Sequence, residues 1–186
     1  MRLRFGALIL AWLVSHAAVS AQSAAAGPHL TIAPELQPID ARWVQSIESR
    51  LTDFERAAKI KVLMRGHAAS PSEAEDNQPG AYMRALSAKL GVAQAGVLAV
   101  YFADVQEWRV WFGDELAPRF VGKPGTAKEF TESGAMHDAK EAWLTDVFAK
   151  AEKAFAARSA TEARVLAQFQ AEALIDGLIA RLGQKP

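Results

Sequence analysis

The run Gly96-Val97-Leu98-Ala99-Val100-Tyr101-Phe102, followed past a turn at Asp104 to Gln106 by Glu107-Trp108-Arg109-Val110-Trp111-Phe112, decides the fold class. The first segment is apolar at every position, so a strand built from it must be covered on both faces, as at the centre of a sheet. The second alternates. Trp108, Val110 and Phe112 share one face, and Glu107, Arg109 and Trp111 share the other. A short polar turn between two such runs predicts neighbouring antiparallel strands.

Upstream of this pair, Trp43, Ile47, Leu51 and Phe54 recur at helical spacing between Asp40 and Ala58, with charged residues on the remaining faces. That pattern predicts an amphipathic helix. Ile60 to Met64 is short, apolar and partly β-branched, and Arg65-Gly66 closes it, which predicts a strand. Ala68 to Pro79 holds two prolines and the acids Glu73, Glu75 and Asp76, and reads as an exposed loop. A second helix fits Ala81 to Leu90, with Gly91 at its end. Downstream, Asp114 to Gly134 is rich in Gly and Pro and reads as a loop with a short helix at Leu116 to Phe120. Two long helices close the chain, over about 137–158 and 160–182, the second capped by Ser159 or Thr161. Trp143, Val147, Phe148 and Phe155 mark the buried side of the first. Val165, Leu166, Phe169, Leu174, Leu178 and Leu182 mark that of the second.

The N-terminus carries an address. Arg2 and Arg4 precede a short apolar run, Phe5 to Val14, and Val19-Ser20-Ala21 offers the small-residue pattern read by signal peptidase. Cleavage near Ala21 is expected, with a periplasmic or secreted location for the mature chain. The apolar run is about ten residues, short of the roughly 20 a membrane-spanning helix needs, so no transmembrane segment is expected in the mature protein. Residues 22–37, rich in Ala, Ser, Gly and Pro, read as a flexible leader, and residues 38–186 as a single domain. The chain contains no Cys, which excludes disulfide staples, thiol chemistry and lipid attachment through a cysteine. Basic and acidic residues number 21 each and are interspersed, and losing residues 1–21 leaves 19 against 21. No basic stripe is present, so nucleic acid is not an expected partner.

The stretch from residue 43 to 116 resembles the TPM domain family, whose members include thylakoid-lumen proteins of photosystem repair, an animal receptor accessory protein and many exported bacterial proteins. Ala95-Gly96-Val97-Leu98-Ala99-Val100 matches the family's Asn-Gly-Val-Leu-Leu-Leu-Val-like strand. Arg109-Val110-Trp111-Phe112-Gly113-Asp114-Glu115-Leu116 matches its Arg-x-x-x-Gly-Tyr-Gly-Leu-Glu-like stretch. This chain departs from that pattern at Ala95, where the family has a polar residue, and at Asp114-Glu115, where it has an aromatic and a second Gly. The resemblance implies an α/β fold, a small mixed sheet of about three to four strands sandwiched by helices, here with two long C-terminal helices. It also implies one of three roles: an accessory protein for a membrane complex, a weak acid phosphatase, or a binder of divalent cations such as calcium.

The residues themselves offer little catalytic chemistry. Without Cys or an Asp-x-Asp-x-Thr segment, phosphate-ester hydrolysis would have to be assisted by a metal. Asp104, Asp114 and Glu115 are the candidate ligands, of a type suited to calcium. Asp104 and Asp114 flank one strand, however, and should stand roughly 20 Å apart. His67 and His137 are each placed near a sheet edge but form no ligand pair. Gly122-Lys123-Pro124-Gly125-Thr126 lacks the Gly-Lys-Ser/Thr ending of a phosphate loop, and Ser133-Gly134 is no nucleophile elbow. Trp108 and Trp111 are the candidate partner-binding residues, because alternation puts them on opposite faces and expects one to stay uncovered. The reading therefore expects a non-enzymatic binding or accessory protein of the cell envelope that requires no cofactor. A metal-dependent acid phosphatase, a calcium-binding module and an Ala-rich, chaperone-like helical domain are the alternatives.

Overall fold

The computed structural model describes residues 29–158 and 162–183. The expected signal peptide, residues 1–21, and the expected cap residues Ser159 and Thr161 lie outside them. Four strands form one sheet in the order β1 (Leu30–Ile32), β2 (Lys61–His67), β3 (Gly96–Phe102) and β4 (Glu107–Phe112). β1, β2 and β3 run parallel and β4 returns antiparallel to β3, so the sheet is mixed. All residues of β3 except Tyr101 are buried, which agrees with its unbroken apolar run.

Helix α1 (Ala41–Ala58) covers one face of the sheet, and α2 (Ala81–Lys89) covers the other. Asp40 caps α1 by accepting from Arg42 N at 2.7 Å, and Ile47, Leu51 and Phe54 form its buried stripe. Since the strands step across the sheet in one direction while α1 and α2 lie on opposite faces, the two parallel crossovers have opposite hands, a departure from the usual right-handed rule. The α1 face is completed by α5 (Ala135–Ala157) and α6 (Ala163–Leu182). Gly177 lets these two helices approach closely, because a Cβ there would stand 2.8 Å from Val147 Cγ2 and 3.0 Å from Trp143 Nε1.

Three sequence expectations are corrected. Residues 30–32, assigned to the flexible leader, form β1, whose Leu30 and Ile32 are buried and whose backbone pairs with Met64 to Gly66. β2 runs on through Arg65 and Gly66 to His67, since β1 and β3 flank that end and extend its ladder. The stretch 114–134 is not mainly loop: a 3-10 turn at Asp114–Leu116 leads into α3 (Ala117–Val121) and then α4 (Ala127–Glu132). A capping box starts α4, with Thr126 Oγ1 accepting from Glu129 N and the Glu129 carboxylate accepting from Thr126 N. Phe120 then stacks on Phe112 with ring centroids 3.8 Å apart, which ties this segment to the core.

On the long helices, Trp143, Val147 and Ala151 are the buried residues of α5, while Phe148 and Phe155 are only partly covered. In α6 the buried set is Ala171, Leu174, Ile175, Leu178 and Leu182. Val165, Leu166 and Phe169 sit at its half-covered start, where the helix overhangs the end of the sheet.

Candidate functional site

A cleft of about 570 Å³ opens at the carboxyl ends of the three parallel strands. Parallel strands commonly place ligand sites there, because the connecting segments diverge from the sheet and leave a crevice. Ile32, Met64 and Tyr101 floor it, the 3-10 turn Pro34–Leu36 and Trp43 of α1 form one wall, and the first half of α6 forms the other. Both indoles in the cleft are held by α6. Trp43 Nε1 donates to Glu172 Oε1 at 2.9 Å, and Trp108 Nε1 donates to Gln170 Oε1 at 3.1 Å. Tyr101 packs on Trp108 with centroids 5.3 Å apart, and burial pushes its phenol above the ordinary range, so it stays protonated at neutral pH. The result is a fixed aromatic lining with polar groups, among them Gln37 and Arg164, at the margin. Size and lining are those of a binding cleft for an apolar group.

At the strap beside this cleft, His29 is buried and bonded through both ring nitrogens, to Glu48 at 3.1 Å and Glu55 at 2.6 Å. Glu48 also accepts from the backbone N–H groups of His29 and Leu30. Arg65 Nη1 donates to the carbonyls of His29 and Met64. Burial lowers the Arg65 pKa, and the Glu48 charge opposes that shift. These groups fasten β1, which supplies Ile32 to the floor of the cleft, to α1 and β2. The sequence reading missed them because residue 29 fell in the presumed leader.

The candidate metal ligands are not brought together. Asp104 sits in the β3–β4 turn, where its carboxylate accepts from Ser70 N, Ser70 Oγ and Val105 N, bonds that hold it below the ordinary carboxylate range. Asp114 and Glu115 lie past the opposite end of β4, exposed on the 3-10 turn. Among the described residues no group of three or more His, Asp or Glu side chains is arranged to hold a metal ion. The three named carboxylates therefore do not fit one shared cation. His67 ends β2 and bonds Tyr82 Oη through Nδ1 at 3.2 Å, with its ring edge-on to Phe102, whereas His137 is exposed at the start of α5.

The two partner-binding candidates do take opposite faces, yet neither is left bare. Trp108 packs with the α1–α6 core, and Trp111 packs with the smaller α2 cluster under Arg84, 5.8 Å from its ring. Trp108 lines the cleft. Trp111 lines a second depression, of about 430 Å³, along β4.

These features define a mixed α/β fold with an aromatic cleft at its strand ends. The chain is similar to the solution NMR structure of the N-terminal domain of a protein from P. gingivalis, with a TM-score of 0.52 and 12% identity over 81% of this chain and 82% of that one. That likeness speaks for the fold. No family model matches the chain, and no curated protein matches it. Among the described residues no helix is long and apolar enough to cross a membrane.

Proposed function

We propose that this chain is an exported TPM-type domain that acts without catalysis, as a binding or accessory protein of the cell envelope. The observation that carries this reading is the cleft at the strand ends, where Trp43, Tyr101 and Trp108 form a rigid apolar lining. Aromatic side chains fixed before binding lose little entropy on association, which suits them to anchor an apolar group of a partner. The export signal in residues 1–21 and the TPM-like runs at Ala95–Val100 and Arg109–Leu116 support the envelope setting.

A filled-cleft variant tests it. Ala167 lies on the α6 wall, and Ala167→Trp would occupy the cleft without touching the sheet ladder. Crosslinked capture from a periplasmic extract should recover a partner with the wild-type chain and lose it with the variant. Equal recovery by both would remove the cleft from the reading. In parallel, hydrolysis of a generic phosphate ester that depends on added magnesium or calcium and is abolished by EDTA would replace the accessory role with the phosphatase alternative.

A further inference from the structure

Among the described residues β4 ends the sheet, with β3 on one side and no strand on the other. The phase of its ladder follows from one bond, Gly113 N to Gly96 O at 2.8 Å. Hydrogen-bonded pairs alternate along an antiparallel ladder, so the main-chain groups of Glu107, Arg109 and Trp111 face β3. Those of Trp108, Val110 and Phe112 point away from it. They form an alternating row of donors and acceptors repeating about every 7 Å, which matches another extended chain.

This edge lines a groove of about 430 Å³. Gly80 and Met83 of the α2 region stand on one face of the sheet, and Thr131, Met136 and Leu144 of α4 and α5 stand on the other. Walls on both faces admit a bare strand. They leave no space for the edge of a second copy, whose sheet brings its own helices on both faces.

Donors in the groove that lack acceptors among the described residues include Trp111 Nε1, Lys140 and the exposed Arg84, which lies over the Trp111 ring. The Trp111 indole nitrogen is buried without a partner, and Lys140 makes no hydrogen bond or ion pair. Lys140 is half-buried, and this desolvation lowers its pKa, partly offset by the charge of Glu141. The cation of Arg109 is already met by Asp76 at 2.6 Å and Glu107 at 3.0 Å, while Asp114 and Glu141 are exposed at the rim. A carboxylate entering the groove is thus drawn to Lys140, where water screens least.

We propose that the outer edge of β4 receives an extended peptide segment of another protein as a fifth strand, with a carboxylate of that segment paired to Lys140. Binding rests on main-chain pairing, and the carboxylate and the two walls select the sequence.

The test uses short linear peptides selected from a random displayed library against the full chain, followed by synthesis of the best binder. Amide hydrogen exchange at Trp108, Val110 and Phe112 should slow on adding the peptide. N-methylation along the peptide should abolish binding at every second residue. Lys140→Gln should weaken binding about tenfold, as expected for loss of a charged hydrogen bond. Failure to select a binder, N-methylation effects without a two-residue period, or protection confined to the Trp43 cleft would overturn the proposal. So would Lys140→Gln binding as tightly as wild type. Protection of the same three amides without peptide, rising with protein concentration together with a doubled mass, would make a second copy the occupant and overturn it as well.

Discussion

His29 Nε2 and the Glu55 carboxylate meet at 2.6 Å, joining the first residue before β1 to the last turn of α1. With Glu48 on the other ring nitrogen and on two backbone N–H groups, a three-residue strand paired to β2 is also clasped by side chains of a helix.

Removing Glu48 should therefore release β1. Glu48→Ala leaves the N–H of Leu30 without its acceptor and the buried imidazole with one carboxylate, a change expected to cost about 1–3 kcal/mol. Denaturant unfolding should show that loss. Exchange at the Leu30 amide should accelerate more than at β3 amides, and an unchanged Leu30 rate would refute the clasp.

Acid should weaken the α2 side through His67. Burial, and then the charge of Arg65, press its pKa below the ordinary value near 6.5, so the unfolded chain binds the proton more readily. The stability it contributes is complete above that value and is lost as pH falls through the lower folded one. His67→Phe keeps an aromatic ring against Phe102 and should flatten the fall in stability measured between about pH 7 and 5. The same slope in both proteins would place the acid sensitivity elsewhere.

Asp104 behaves with the same sign, in the lower range where carboxylates titrate. The bonds from Ser70 hold its carboxyl below the ordinary range, so its contribution is present above that range and disappears as pH falls through the depressed value. Asp104→Ala should speed exchange at the Ser70 amide at neutral pH and leave calcium affinity unaltered. A calcium-dependent thermal shift abolished by this substitution would restore Asp104 as a ligand.

At Gly177 of α6 the backbone lies directly against Val147 and Trp143 of α5. Gly177→Ala gains helix propensity but forces those side chains apart, for a net loss of about 1–3 kcal/mol by overpacking. Thermal unfolding measures it, and a variant as stable as wild type would mean the helices part easily.

Much of this architecture was legible in residue order. β3 and β4 followed from an unbroken apolar run beside an alternating one, and α1 from a stripe that begins at Trp43. β1 was not, because Leu30-Thr31-Ile32 is too short to show a period and sits beside Pro28 and Pro34. Part of what fastens it is Glu48, 18 residues away from Leu30. α4 did carry a signal, Thr126-x-x-Glu129, obscured by the glycines and prolines before it. For the candidate sites, alternation correctly separated Trp108 from Trp111. It could not show that α6 acceptors hold Trp43 and Trp108 in a cleft, since those contacts span 129 and 62 residues.

The two margins of the sheet differ in kind. At β1 the outward N–H of Leu30 is occupied by Glu48 and the strand is three residues long, whereas β4 presents six residues. With one receptive margin among the described residues, the sheet has a valence of one for strand exchange. It can terminate another chain's growing sheet but cannot pass the pairing on, so association through this margin is self-limiting and does not propagate into fibres.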